Sequence, residues 1–220
     1  TVASGERWRI TYDTRRGWPV AADGAGHSLV PLSDQPRLQD YGGNWRCSAF
    51  IDGSPGAADP VLPLSVVLNE FMAHTDFTNP ALPEYDSDDW IELYNAGTAA
   101  VSLADWYLSD DAAALMQWAI PASNFIAAGT WLSFSEVTGF HNPITNGFGL
   151  NKAGERIYLS HLPGTSADRV VDSVRFLGQE QTASLGRYGD GSEYWRAMNL
   201  TRDTTNALPI EHAVISEIMY

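Results

Sequence analysis

Hydrophobic and polar positions alternate along Asp89-Trp90-Ile91-Glu92-Leu93-Tyr94-Asn95, with Trp90, Glu92 and Tyr94 on one side and Ile91 and Leu93 on the other. A repeat of two is what a half-buried strand requires. Asn95-Ala96-Gly97 then supplies residues that tolerate turn geometry. The same reading predicts strands over 66–72, 89–95, 105–109, 116–119, 130–135, 156–160, 170–176, 183–188 and 193–197. Asp190-Gly191, between two strand-like runs, is a hairpin signal. Residues 112–116 could form a helical turn but are too short to stand alone as a helix. Residues 31–43 and 136–155 read as irregular segments. Short strands and frequent turns favour an all-β architecture.

The pattern also repeats. Val67-Leu68-Asn69-Glu70-Phe71-Met72 returns as Val214-Ile215-Ser216-Glu217-Ile218-Met219. Each copy follows a strand carrying Trp-Arg (Trp45-Arg46, then Trp195-Arg196) and a tail of small residues and proline. The simplest parse is three successive modules. Residues 1–60 would be the C-terminal part of one, 65–209 a complete one, and 213–220 the opening strand of the next. Half a module leaves an open sheet edge. The expectation is therefore that something covers residues 1–60, with 214–220 pairing against 8–50.

Three segments in order, Asn69-Glu70-Phe71-Met72, Asp89 to Asn95, and Asp105-Trp106-Tyr107-Leu108-Ser109-Asp110, resemble the lamin tail domain family, in its bacterial tandem-repeat type. The resemblance implies an immunoglobulin-like β-sandwich. It further implies a spacer or protein-interaction module with no chemistry of its own, on a secreted or cell-surface bacterial protein. The nuclear filament role is not carried over, since heptads, a basic localisation cluster and a lipidation motif are all missing from this sequence.

Charge narrows the partners. The 220 residues carry a net charge of -14, and Lys152 is the only lysine. Such a surface repels phosphate backbones, so nucleic acid is not expected as a partner. Neighbouring modules and a protein or glycan of unknown identity are the expected ones. Cys47, the single cysteine, excludes an internal disulfide and a zinc site built on paired cysteines. No run approaches the roughly 20 apolar residues of a membrane span. The chain begins at Thr1 without a signal peptide. It therefore reads as part of a longer exported protein whose signal lies upstream.

Candidate chemistry is sparse. His27, His74, His141, His161 and His212 show no metal-binding spacing, and no nucleophile elbow or phosphate loop is present. No catalytic residues and no organic cofactor are expected, and the chain is read as not an enzyme. A pocket holding a perturbed carboxylate pair would reopen that question. The acidic run Glu84 to Asp89 is the best metal candidate, with Asp86 and Asp88 spaced like the first ligands of a calcium loop. Asp89 belongs to the same run, and Asp110 and Asp111 would approach from the next loop. The alternative is a solvated acidic loop. Of the eight tryptophans, Trp90, Trp106, Trp118, Trp131 and Trp195 sit in alternating strands and read as core. Trp8 and Trp18, beside Arg15 and Arg16, read as a basic and aromatic interaction patch. The rival to an interaction module is a calcium- or carbohydrate-binding accessory domain of a secreted hydrolase.

Overall fold

The computed structural model of the chain describes residues 10–33, 40–63, 65–142 and 146–208. The expected strands form as β1 (Val66–Met72), β2 (Trp90–Asn95), β3 (Trp106–Ser109), β4 (Trp118–Ala119), β5 (Trp131–Ser135), β6 (Arg156–His161), β7 (Arg169–Arg175), β8 (Ser184–Arg187) and β9 (Trp195–Met198). They build a five-stranded sheet, β9-β8-β1-β2-β5, and a four-stranded sheet, β7-β6-β3-β4. All neighbours are antiparallel. Leu68, Phe71, Ile91 and Leu93 from one sheet meet Leu108, Ile157 and Leu159 from the other in a single buried cluster. Phe71 and Phe176 pack across it at 4.7 Å between ring centroids. The result is an immunoglobulin-like β-sandwich, as the alternating pattern and the motif order lead one to expect.

One expectation changes. The pattern predicts β2 half-buried, but its polar face is covered as well: Trp90 is 6% exposed and Glu92 0%. The covering is the chain after β9, residues 199–208, lying over the outer face of the five-stranded sheet. The Thr201 amide and hydroxyl donate to Glu70 at 3.0 and 2.8 Å, and the Ser184 hydroxyl also donates to it. Glu92 accepts from Asn69 Nδ2 at 2.9 Å and from the Asp203 amide. Asn206 Nδ2 donates to the carbonyls of Asn69 and Arg187 at 3.2 and 2.7 Å. Buried polar groups are tolerated only when paired in this way.

The β1–β2 register shifts between Leu68 and Glu70, which makes Asn69 the extra residue of a bulge. Within the segment read as loop, Glu136–Phe140 forms one π-helical turn, with Ser135 Oγ accepting from the Thr138 amide at 3.4 Å. Residues 112–116 form turns without a helix.

The described part of residues 10–63 holds one ribbon, Leu29–Pro31 against Trp45–Cys47, and two 3₁₀ turns. It packs on the outer face of the four-stranded sheet, where Ala21 and Ala25 meet Tyr158 and Val170. His27 fastens the two. Its Nε2 accepts from the Val170 amide at 2.9 Å, which leaves Nδ1 to donate to the Ser48 carbonyl at 2.8 Å. Arg156 pairs with Asp23 alongside. The expected pairing of 214–220 with 8–50 lies outside the described residues.

Candidate functional site

Two concave sites flank the sandwich. The first is a groove of about 520 Å³ between residues 14–20 and the margins of both sheets. Arg15, Arg16 and Trp18 line one wall, and Arg175, Leu177 and Trp195 the other. A turn presents the first wall. Arg16 and Gly17 both have left-handed backbones, with φ of 56° and 78°, and the Trp18 amide returns to the Arg15 carbonyl at 3.2 Å. Gly42 permits this path, because a Cβ there would lie 2.5 Å from the Trp18 amide nitrogen. Arg175 Nη1 donates to the Thr14 carbonyl at 3.2 Å and ties the walls together.

The groove is electrostatically distinct. Arg46, Arg156, Arg187 and Arg202 each have a carboxylate partner, but Arg15, Arg16 and Arg175, like Arg169 and Arg196 elsewhere, have none among the described residues. No Asp or Glu lines the groove. Three arginines thus line one groove with no carboxylate partner among the described residues, on a chain of net charge -14.

Arg15, Arg16 and Trp18, expected as one patch, line the same groove, but Trp18 is not the free ring expected. It is 7% exposed and stacked on Trp45, with centroids 6.0 Å apart, because burial of so large a ring is favourable. Trp8 lies outside the described residues. Arg175, Leu177 and Trp195 were missed as site residues: they sit far along the chain, and Trp195 reads as core.

The second site is a polar pocket of about 390 Å³ at one end of the sandwich. Asp86, Asp89, Glu136, His74, His141 and Lys152 line it. The π-helical turn aims Glu136 into the acidic loop, where its Oε2 accepts from the Ser87 hydroxyl at 2.6 Å and the Asp89 amide at 3.2 Å. Its Oε1 lies 2.6 Å from His141 Nδ1. Asp89 Oδ1 accepts from the Thr75 amide and hydroxyl at 3.1 and 2.7 Å. Burial pushes the Asp89 carboxyl up to about 7, with nearby Glu136 adding to the effect. Burial also raises Glu155 to about 7, with Asp110 and Asp89 contributing repulsion.

The five aspartates named as calcium candidates do not converge. Asp86 and Asp89 reach the pocket. Asp88 instead accepts from the Val137 amide at 3.2 Å. Asp111 accepts from the Ala113 amide at 2.8 Å and organises its own turn, and burial raises Asp110 beside it. Neither Asp110 nor Asp111 lines the pocket. Among the described residues no three His, Cys, Asp or Glu side chains are grouped to hold a metal ion. The physical reason is that Asp88, Asp89 and Asp111 already accept from backbone amides, Asp111 within its own turn and the other two across neighbouring segments.

Two antiparallel sheets packed on a buried apolar core define an immunoglobulin-like domain. A family model described as Lamin Tail Domain matches residues 63–176, from the start of β1 through the end of β7. The chain belongs to the Lamin Tail Domain family, whose immunoglobulin-like domains are generally non-enzymatic. Comparisons with curated proteins and with solved structures returned no match. No helix among the described residues is long and apolar enough to cross a membrane.

Proposed function

We propose that this chain is a non-catalytic interaction module of a larger secreted or cell-surface bacterial protein, contacting neighbouring modules and spacing them. The observation that carries the reading is the groove, where Arg15, Arg16 and Arg175 come together without a carboxylate among the described residues. An uncompensated charge cluster in a cleft is a binding feature rather than a stabilising one, since like charges repel. The recurring opening motif at 67–72 and 214–219 supports a tandem arrangement. The test is calorimetric titration of the chain with the adjoining modules of its parent protein. Binding weakened by Arg175→Glu is expected. No binding would overturn the interaction role and leave a spacer.

The rival reading, a calcium- or carbohydrate-binding accessory domain of a secreted hydrolase, is favoured by one observation. Asp86, Asp89 and Glu136 line a single pocket, and the Asp89 carboxyl is raised. Thermal unfolding with calcium tests it.

A further inference from the structure

We infer that the groove between residues 14–20 and the sandwich margin docks an extended acidic peptide segment, whose carboxylates are held by Arg15, Arg16 and Arg175. The inference rests on the reading of the chain as an interaction module and names the chemistry of what that module binds.

Charge gives the ligand its sign. A guanidinium presents planar paired N–H donors that match a carboxylate in two bonds at once. The three groove arginines make no such bond among the described residues. Arg16 holds a left-handed backbone, φ 56°, that a non-glycine residue adopts at a cost of about 1–2 kcal/mol. Strain of this kind clusters at ligand contacts.

Topology gives the ligand its shape. β7 and β9 are the outermost strands of their respective sheets, and both border the groove through Ser173, Val174, Arg175 and Trp195. An edge strand offers backbone groups to an incoming extended segment. Leu177 is 76% exposed beside them and supplies an apolar contact for alternate side chains of that segment.

The aromatic rings argue against a sugar. Stacking on a sugar needs a free ring face. Trp18 is stacked on Trp45. Trp195 has the Arg187 guanidinium 4.7 Å from its ring centre and Phe71 at 5.6 Å. A long phosphate polymer would meet the repulsion of the whole acidic surface. A short acidic peptide in the groove meets mainly the local field, because screening acts within about 8 Å at physiological salt.

Fluorescence anisotropy with labelled oligo-glutamate tests this on the whole chain. Oligo-lysine, heparin fragments and a DNA duplex serve as comparison probes. Saturable oligo-glutamate binding that weakens with salt is expected. Arg15→Glu and Arg175→Glu should each weaken it about fivefold, and the pair more than about tenfold. Arg15 is exposed, so Arg15→Gln gives a second variant that leaves folding intact, checked by an unchanged melting curve. No oligo-glutamate binding, or binding indifferent to both arginines, would overturn the inference. Tighter binding of heparin or DNA through the same arginines would overturn it in favour of those polymers. If adjoining modules bind while oligo-glutamate neither binds nor competes, the peptide fails and the module reading stands. The reverse result removes the neighbouring-module partner and keeps the acidic peptide.

Discussion

Asp172 and Arg187 form an ion pair that joins the two sheets through one peptide segment. Arg187 Nη2 lies 2.7 Å from Asp172 Oδ2. The same Asp172 oxygen accepts from the Leu68 amide at 2.9 Å, while Arg187 Nε donates to the Leu68 carbonyl at 2.6 Å. Leu68 pairs with Leu93 of β2, but on the β8 side the ladder of β1 stops at Glu70, and the ion pair supplies the bonds that Leu68 lacks on that side. Arg187→Met should therefore destabilise the chain by about 3–5 kcal/mol, because it strands a buried carboxylate and an unmet carbonyl. Urea denaturation would show it. A double variant with Asp172→Asn should cost less than the sum of the single changes, and strict additivity would contradict the coupling.

The raised carboxylates predict a pH dependence with a definite sign. Burial lifts Asp89 and Glu92 to about 7, with repulsion from Glu136 and from Glu70 adding to it respectively. The folded chain therefore holds protons that the unfolded chain releases near pH 4. Their contribution to stability is complete below that value and is lost as the pH rises through about 7. Asp89→Asn should gain stability over the parent as the pH is raised from 4 to 8, by on the order of 2–4 kcal/mol. Denaturation midpoints across that range would settle it. Comparison with the variant isolates this effect from His27, whose pKa burial lowers and whose contribution is lost in the opposite direction, as the pH falls.

Gly42→Ala should open the turn that presents the groove. The added Cβ would meet only backbone, the Trp18 nitrogen at 2.5 Å and the Gly17 carbonyl carbon at 2.6 Å, so no side chain can swing aside. A cost of about 1–3 kcal/mol is expected. A red shift of tryptophan emission should accompany it as the Trp18–Trp45 stack loosens. An unchanged melting curve would show that the turn adapts freely.

Millimolar calcium added after chelation should leave the unfolding midpoint unchanged. A folded-state site would stabilise by about 2.7 kcal/mol at a hundredfold excess over Kd. A rise that disappears in Asp86→Ala would establish the cation-binding reading instead.

The strands were legible because alternation is a local property. Asp89 to Asn95 announces β2 without reference to the rest of the chain, and Asp190-Gly191 announces the β8–β9 hairpin, where Gly191 takes φ 71°. The motif order was enough to place the family. Arg15 and Arg16 could be picked out by eye as a basic pair on an acidic chain.

Residue type and short spacing were enough for the all-β class, for the positions of the strands along the chain and for the excess of acidic residues. What faces what, including the order of the strands within each sheet, came from packing. It buried Glu70 and Glu92 beneath residues 199–208, set Glu136 against Asp89, and brought Arg175 across the groove from Arg15 and Arg16. Those contacts join residues dozens to more than a hundred positions apart. A two-residue period records which side of a strand is apolar, but not which distant segment will cover the other.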